Sequence, residues 1–515
     1  MALWYQEGDQ VVLPRHENQA RGLGKVACQF LQGRWGPVEG EVLQQLQRFH
    51  ADALACGVSA LAWGTNAPEV LRREARQYPR PSGQGALLLG SRTRVAPEKA
   101  IAANCAAVRE WDANGTNFGY RPQLGHTAGE FGHNDFYPVV QAAAEQREVD
   151  GPRLLRAMLL LDEIRARLAE VFALRRYKLD HVLHGAVASA VVYGALLGAG
   201  PEQIESALGL VVAHYVPYRA IRHGQQLSDS KGASAALGAE VAAMSVHRAM
   251  LGFQGPRDIF RNPQAVFCLY QPPPKPRSSP FDLVLTVQGR QFAVMGMHFK
   301  LGLYEHQSAG AIAGLIELLR QHPQLLASGP EAIRKVEVQI YQPAYGIICD
   351  PAKRDPRTRQ SADHSLYYIL GRILAKAFRG AAADWMGLML LPEDYTPQAL
   401  QDPLTRQLMQ QVEVVHGGPE LDARYPEGIP TRVAVEHATL GRVPGELVLF
   451  PLGHARCQQE PFDQVLQAKW ERLLCGAVAQ PQPLLERFLH LEGLPAAEVA
   501  RLYDFPWKQL EFSGL

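Results

Sequence analysis

Cysteine pairs and phosphate-binding loops are both missing from this sequence. The seven cysteines are scattered, with successive positions at least eighteen residues apart, so the C-x-x-C signals of structural zinc, ordinary iron–sulfur clusters and thioredoxin-like sites are absent. Neither G-x-x-x-x-G-K-[ST] nor a G-x-G-x-x-G after a strand occurs. The sequence therefore predicts no metal and no cofactor, and isolated cysteines of this kind are typical of a reducing cytosol.

The chain also lacks an excess of charge, a leader segment and a membrane-spanning run. Its 52 basic and 51 acidic residues give a formal net charge of +1, which argues against a nucleic-acid-coating protein. The N-terminus has no basic region followed by an apolar one. The longest uncharged apolar run, 185–200, has sixteen residues, fewer than the about 20 that a spanning helix needs. We expect a cytoplasmic protein whose partners include neither a membrane nor a nucleic acid.

The first half of the chain is rich in helix-forming sequence. Apolar residues recur at helical spacing, and three prolines stand where a first helical turn tolerates them. The predicted helices are 42–54, 97–110, 152–174, 180–197, 201–214 and 232–251. Because no β-rich run separates them, residues 1–277 are expected to form the N-terminal part of an all-helical domain.

The composition changes at the proline-rich stretch 271–280, which predicts a stiff linker. Segments 281–287 and 292–298 flank Gln288-Gly-Arg and predict a hairpin. Further helices are predicted at 309–320 and 366–375, and strands at 336–341, 412–415, 431–436 and 446–450. Residues 278–455 therefore predict an α+β lid. Helical periodicity at 462–474 and 483–491 predicts that residues 456–515 rejoin the first domain, so the expected fold class is mainly α with an inserted α+β domain.

Two polar motifs follow the second predicted helix. Asp112-Ala-Asn-Gly-Thr116 is either an ordinary helix exit or a source of hydrogen bonds, from Asp112 and Thr116, to a polar substrate. The spacing of His126, Glu130 and His133 invites a metal interpretation, but several glycines argue against a continuous helix and no established metal pattern matches. We therefore predict no metal here. A proton-transfer role suits His133 because imidazole titrates near neutral pH; the alternative is a solvated loop histidine.

His181 and His184 lie three residues apart on one predicted helix. This spacing could ligate a metal, but isolated histidines in helices more often satisfy the core. Asp180 is a natural N-cap for the apolar run that follows. A structural role is therefore predicted for this segment.

The segment 218–232 concentrates groups that bind carboxylates. The candidates are Arg219, Arg222, His223, Ser230 and Lys231. Several cations cannot share a buried site without counter-charge, so either acidic residues such as Asp229 neutralise them or a polycarboxylate binds among them. Arginine offers bidentate contacts to carboxylates and lysine a movable point charge.

A further polar stretch follows the predicted hairpin. Lys300, Tyr304 and His306 could close over a site from the second domain. The alternative is that they are surface polar residues at the end of a strand. The local pattern leaves both interpretations open.

Several longer motifs occur in a fixed order along the chain. They are Trp111-Asp-Ala-Asn-Gly-Thr, Glu130-Phe-Gly-His-Asn-Asp, Leu179-Asp-His-Val, Tyr218-Arg-x-x-Arg-His, Ser228-Asp-Ser-Lys, Phe299-Lys and Phe450-Pro-Leu-Gly-His-Ala-Arg. In this combination, from about residue 50 to 475, the sequence resembles the MmgE/PrpD family, which includes 2-methylcitrate dehydratases and cis-aconitate decarboxylases.

The resemblance implies a helical domain made of N- and C-terminal parts, an α+β lid between them, and a homodimer. It also implies lyase chemistry on tricarboxylates without a metal or an iron–sulfur cluster. The family's site positions fall on Asp112, Thr116, His133, Lys231, Lys300 and His306. The positions of Arg219, Arg222 and His223 are more similar to the methylcitrate branch than to the decarboxylase branch.

Three departures from the family pattern bear on the site. Gly115 replaces the second aspartate of the family's Asp-Phe-Asn-Asp-Thr motif, and an insertion around 119–129 separates Thr116 from His133. The lid segment before His306 is about two residues shorter than the family's Phe-Pro-Ala-Glu segment.

We therefore expect a metal-independent hydro-lyase that dehydrates a citrate-like tricarboxylate, with 2-methylcitrate to 2-methyl-cis-aconitate as the leading reaction. Lys231, Arg222 and Lys300 are expected to stabilise an enolate-like anion. His133, oriented by Asp112, is expected to transfer a proton. The alternatives are decarboxylation of cis-aconitate, epimerisation of a related dicarboxylate, or a catalytically silent relative that binds tricarboxylates.

Overall fold

Helices fill the first half of the chain, as the sequence predicts. The computed structural model describes residues 3–223, 226–457 and 459–510. The α-helices of this half are Gln19–Leu31, Gly40–Ala62, Asn66–Ala75, Pro97–Arg109, Tyr137–Arg147, Gly151–Val171, Val182–Leu197, Pro201–His214, Ser230–Met250 and Val266–Tyr270. The six predicted helices are confirmed, and the mainly α fold class with them.

The limits of these helices follow from local chemistry. The Asp150 side chain accepts the backbone N–H of Arg153 at 3.1 Å, which satisfies one of the free donors at a helix N-terminus. Gly198, with a φ of +87°, ends the helix Val182–Leu197 in the left-handed conformation that glycine adopts without steric cost. The helices pack around a first core that includes Leu160, Val191 and Ala239.

The strands are short. They are β1 (Tyr5–Glu7), β2 (Gln10–Leu13), β3 (Ala86–Leu87), β4 (Arg94–Val95), β5 (Thr116–Phe118), β6 (Phe131–His133), β7 (Leu283–Thr286), β8 (Ile333–Ile340), β9 (Val412–His416), β10 (Thr431–His437) and β11 (Gly441–Pro444). They form a three-stranded sheet β1-β2-β7, a four-stranded sheet β11-β10-β8-β9, and the pairs β3-β4 and β5-β6.

The hairpin predicted at 281–298 is wrong. Its first half is β7, but β7 pairs with β2 in antiparallel register, and its second half contains the 3-10 helix Ala293–Gly296. Side chains of the helix Gly151–Val171 bind the backbone of that second half: Arg167 donates to the Gln291 carbonyl at 2.6 Å and Glu163 accepts the Ala293 N–H at 2.6 Å. A long-range contact of this kind leaves no local sequence signal.

The second half combines one sheet with helices. β8 pairs in parallel with β9 and antiparallel with β10. The α-helices before residue 450 are Ala309–Gln321, Gln342–Ile348, Arg359–Ala362, Leu366–Phe378, Trp385–Leu388, Pro397–Leu400, Pro403–Gln410 and Pro419–Asp422. Their apolar residues and the buried face of β8 form a second core that includes Leu315, Val338 and Leu370. The segment 446–450 is not a strand as predicted; a single bridge pairs Val448 with Thr431.

The last helices return to the first core. They are Phe462–Leu474, Pro481–Leu489 and Ala496–Val499. Lys469 donates to Asp52 of the helix Gly40–Ala62 and to the Ala113 carbonyl, each at 2.6 Å, and Trp470 donates to the same carboxylate at 2.8 Å. Because Lys469 and Asp52 are fully buried, this pair joins the two ends of the chain.

Within the described part of the chain, no helix combines the length and the apolar character that crossing a bilayer requires.

Replacing Lys469 by Met tests the junction between the two ends. The substitution leaves the Asp52 carboxylate buried without its cation, so we expect the free energy of unfolding to fall by about 3–5 kcal/mol, measured by urea denaturation. Lys508→Met, at an exposed position, is the matched control and should change stability by no more than about 0.5 kcal/mol. Equal effects of the two substitutions would contradict a role for the pair in joining the chain ends.

Candidate active site

Backbone pairing brings Thr116, His133 and the segment before Lys300 together. β5 and β6 are the two strands of one hairpin in which Thr116 stands opposite His133, and the insertion at 119–129 lies in its connecting loop. The main chain of Thr116 also exchanges hydrogen bonds of 3.0 and 2.7 Å with His298. The Thr116 hydroxyl donates to the Gly132 carbonyl at 2.8 Å. The insertion therefore leaves Thr116 and His133 side by side.

Asp112 lies at the centre of a buried charge cluster. Its φ of +51° places it in the left-handed region, which aspartate tolerates better than most side chains. Its Oδ1 accepts hydrogen bonds from Arg109, at 2.5 Å, and from Lys300, and Lys231 Nζ lies 3.2 Å from Oδ2. Burial alone raises the pKa of Asp112, but the three cations outweigh it and hold the pKa well below its usual range.

Lys231 joins this cluster to the second half of the chain. Its ammonium donates to both oxygens of Asp363, at 2.7 and 2.8 Å. Asp363 also accepts from the ring of His364, between Nδ1 and Oδ1 at 2.7 Å. Lys300 donates to the Asp112 carbonyl at 2.7 Å, and burial lowers the pKa of Lys300. Both predicted lysines are thus held by protein acceptors in the ligand-free site.

One side-chain oxygen or nitrogen atom from each of Asp112, Asp363 and His364 lies within 4.8 Å of the other two, close enough for the three to share a cation. Lys231 already supplies that cation, because its ammonium contacts both carboxylates. A divalent ion in the same place would face that ammonium at short range and be repelled by it. This donor set therefore fits a buried lysine rather than a metal ion.

A small enclosed space, which we call the inner cavity, lies beside the cluster. Its volume is about 20 Å³, enough for one water molecule. Its lining from the first half of the chain is Arg109, Asp112, Phe131, His133, His181, Arg219 and Arg222. Its lining from the second half is Glu305, Ile347, Lys353 and His364.

Three histidines face this cavity as neutral rings. Burial lowers the pKa of His133 and of His181 well below the usual range, and that of His364 to about 3. His133 and His181 lie with their ring centroids 5.3 Å apart. Among the described residues, His133 Nδ1 and His181 Nε2 have no hydrogen-bond partner. At neutral pH each of these rings therefore carries one N–H donor and one nitrogen that can accept a proton.

The structural role predicted for the 180–184 segment is confirmed for one histidine only. His184 Nε2 bonds the Phe172 carbonyl at 2.9 Å, which confirms a core role for it. His181 lines the inner cavity, and its structural role stays a prediction. Asp180 accepts the Val182 N–H at 3.3 Å, but its carboxylate chiefly binds Arg222. The fold, not the local pattern, turns His181 toward the cavity.

Two predictions about the proton-transfer groups need correction. Asp112 does not orient His133, because the oxygens of Asp112 are taken by Arg109, Lys300 and Lys231. His306 is buried but does not line the inner cavity; its ring stacks on His298 with centroids 5.3 Å apart. His306 therefore lies behind the site rather than over it.

A second, larger space opens outside the inner cavity, and we call it the outer cleft. Its volume is about 1150 Å³. Its basic lining residues are Arg175, Lys178, Arg219, Arg222, His223 and Lys353, and its acidic one is Asp350. Four residues line both spaces, namely Arg219, Arg222, Ile347 and Lys353. They form the wall between the cleft and the cavity.

The candidate residues of the cationic segment 218–232 differ in their contacts. Arg222 binds both oxygens of Asp180, at 2.5 and 3.2 Å, so the counter-charge comes from Asp180 and not from Asp229 as considered. Arg219 packs over the Phe131 ring, and its buried Nη1 has no hydrogen-bond partner among the described residues. His223 is exposed on the outer cleft, whereas Ser230 is exposed and lines neither space.

Glu305 and Lys353 belong to the site but escaped sequence reasoning. Burial, followed by the charge of Asp112, raises the pKa of Glu305 to about 7, so part of it is protonated at neutral pH. Glu305 precedes His306 in the shortened segment, where the family resemblance places a site position on the histidine and not on the glutamate. Lys353 lies in the 3-10 helix Pro351–Arg354, in a stretch without any recognisable motif.

The glycine at position 115 has a packing cause. A Cβ placed there would meet Phe49 at 2.5 Å, and Phe49 stacks flat on Phe299 with centroids 3.9 Å apart. The aromatic ring thus fills the space that a side chain at 115 would need. Asn134 donates to the Phe49 carbonyl at 3.2 Å and helps to hold this arrangement.

Restoring a side chain at position 115 should therefore cost stability. Gly115→Ala is expected to lower the free energy of unfolding by about 1–3 kcal/mol, the usual cost of overpacking, measured by thermal or urea denaturation. The matched control is Gly40→Ala, where a Cβ meets no atom within 4 Å. A Gly115→Ala protein as stable as the control would contradict the tight packing against Phe49.

Comparisons with known proteins identify the family of this chain. Residues 31–278 match the MmgE/PrpD N-terminal domain and residues 304–489 the MmgE/PrpD C-terminal domain. The 2-methylcitrate dehydratase of Escherichia coli (strain K12) is 24% identical over 481 residues, which cover 88% of this chain and 91% of that protein. The 2-methylcitrate dehydratase of Salmonella typhimurium (strain LT2) is 24% identical over 474 residues, with the same coverage. With both domains matched in order along most of its length, the chain belongs to the MmgE/PrpD family.

Proposed function

We propose that the protein is a hydro-lyase that removes water from 2-methylcitrate to give 2-methyl-cis-aconitate, with citrate as a second substrate, and that it needs no metal. The observation that carries this proposal is the cationic outer cleft next to a buried cavity with two lysines on one carboxylate. A tricarboxylate has the charge to enter such a cleft. The family membership and the relatives named 2-methylcitrate dehydratase support the same reaction.

The lysines and arginines act on the carboxylates. Removing a proton from carbon next to a carboxylate places negative charge on that carboxylate, and fixed cations in a dry site stabilise the charge better than water does. Lys231 and Lys300 are proposed for this task. Arg219, with its unpartnered guanidinium nitrogen, and Lys353 are proposed to bind the carboxylates that do not react.

The leaving hydroxyl needs a hydrogen-bond donor and a proton. Glu305 is proposed to supply the proton, because its carboxyl is partly protonated at neutral pH. His133 is proposed to hold the hydroxyl through its ring, and Thr116 stands beside it on the paired strand. The proton on carbon must be taken by a neutral imidazole of the inner cavity, for which the structure offers His133, His181 and His364.

Substrate binding requires the wall of the inner cavity to move. A cavity of about 20 Å³ holds one water and no tricarboxylate. The wall has two sides, Arg219 and Arg222 from the first half of the chain and Ile347 and Lys353 from the second. Moving the second side away from the first joins the cavity to the outer cleft.

A direct assay tests the proposed reaction. Protein treated with EDTA is incubated with 2-methylcitrate, citrate and cis-aconitate, while ultraviolet absorbance follows the conjugated product and released carbon dioxide is measured separately. We expect absorbance to rise on 2-methylcitrate without carbon dioxide release, and the rate to be the same with and without EDTA. Activity lost on chelation and regained with a divalent ion would overturn the metal-free proposal.

Substituting Lys231 tests the stabilising role of the cation cluster. Lys231→Met should lower kcat for 2-methylcitrate by about 10²–10³-fold, the range found when one charge-stabilising donor is removed. Lys25→Met, at an exposed helix position, is the control and should leave kcat unchanged. Circular dichroism of both variants checks that they fold. Near-normal turnover by Lys231→Met would place the reaction elsewhere.

A second candidate function is decarboxylation of cis-aconitate. It uses the same cations and proton-transfer groups, and Arg222 is partly withdrawn from ligand binding by Asp180. Carbon dioxide release from cis-aconitate in the assay above, without dehydration of 2-methylcitrate, would favour it.

A further inference from the structure

His364 differs from His133 and His181, the other two histidines of the inner cavity, in the hydrogen bond between its ring and a carboxylate. Asp180 Oδ1 lies 3.3 Å from His181 Nδ1, but the two atoms form no hydrogen bond in the described part of the chain. The His364 Nδ1 and the Asp363 Oδ1 are 2.7 Å apart. Asp363 is ionised, because Lys231, His364 and Arg359 outweigh burial and lower its pKa, so it can only accept. The hydrogen of His364 therefore sits on Nδ1, and Nε2 carries the free lone pair.

That lone pair faces the reacting site. His364 Nε2 lies 3.6 Å from Asp112 Oδ2, too far for a hydrogen bond, and His364 lines the inner cavity. Because neither His364 Nε2 nor Asp112 Oδ2 carries a hydrogen, both can accept a hydrogen bond from a proton-bearing group in the inner cavity. Once protonated, the ring would lie between the carboxylates of Asp112 and Asp363, whose charges oppose the burial and the Lys231 ammonium that lower its pKa to about 3.

His364 is also held rigidly against the first half of the chain. The segment 355–363, which precedes it, is anchored by Arg359, which donates to the Glu110 carbonyl at 2.8 Å. Thr358 donates to the Leu227 carbonyl at 3.0 Å, and Leu227 donates its N–H to Ser361 at 2.8 Å. Among the described residues, His133 Nδ1 and both ring nitrogens of His181 accept or donate no hydrogen bond, so no comparable contact fixes their tautomers.

We propose that His364, oriented by Asp363, accepts the proton from the substrate carbon. The C–H bond breaks and its electron pair forms the C=C bond; the C–O bond breaks, and the hydroxyl leaves as water with the proton from Glu305. His364 gains one proton and Glu305 loses one, and exchange with solvent restores both. This assignment rests on the proposed dehydratase function. It places the base in the second half of the chain, whereas the sequence motifs assigned proton transfer to His133 without distinguishing acid from base.

The test separates proton transfer from binding. His364→Gln keeps a planar hydrogen-bonding side chain but cannot accept a proton in this pH range. We expect kcat for 2-methylcitrate to fall at least about 100-fold, the lower end of what a general base contributes. The dissociation constant for propane-1,2,3-tricarboxylate, which lacks the hydroxyl, should stay within threefold by calorimetry. His184→Gln, in the core, is the control for replacing a buried histidine and should retain activity.

A kinetic isotope effect distinguishes a base from a merely structural residue. With deuterium on the reacting carbon, His364→Gln should show a larger primary isotope effect on kcat than the unmodified protein, because C–H cleavage becomes the slow step. A slow variant without that increase, or a variant within threefold of normal kcat, overturns the assignment to His364. Unmodified protein that acts on no tricarboxylate overturns the proposed function, and the assignment with it. If His364→Gln does not fold, His364→Asn is measured in the same way.

Discussion

The ionised carboxylate of Asp112 is the interaction on which the site depends. It holds Arg109, Lys231 and Lys300 within a few ångströms of one another, and their mutual repulsion in a buried place would otherwise be severe. Lys231 and Lys300 stand 69 residues apart in the sequence, and both contact this one carboxylate. The left-handed turn at Asp112, directly after a helix, is what aims the carboxylate at them.

Much of the fold follows from the sequence because its helices carry local signals. Prolines and apolar periodicity located six helices of the first half, most of them to within a few residues, but missed Gln19–Leu31, Asn66–Ala75 and Tyr137–Arg147. The hairpin failed because β7 pairs with β2, some 270 residues earlier, while Arg167 and Glu163 hold the expected partner strand. Pairing between distant segments is set by tertiary contacts, which a local pattern cannot contain.

In the candidate site, too, local motifs predict some residues, whereas others are brought in by contacts between distant segments. Motifs located Asp112, Thr116, His133, Lys231 and Lys300, and the structure brings them together. Of the partners that complete the site, Asp180 lies in a motif but was interpreted as a helix cap, and no motif points to Glu305, Lys353, Asp363 or His364. The cations of the segment 218–232 obtain part of their counter-charge within the protein. Arg222 and Lys231 are neutralised by acids that only the fold brings near.

The acidic partners of the buried cations bear on which ligands the site selects. Most of these cations contact an acidic side chain of the protein, so a ligand must replace interactions that the protein makes with itself. A monocarboxylate brings one negative charge, which does not offset the several kcal/mol that breaking each buried ion pair costs. The tricarboxylate of the proposed function brings three, and the basic lining of the outer cleft gives it a first contact. Under that proposal, a site closed by its own ion pairs favours ligands with several carboxylates.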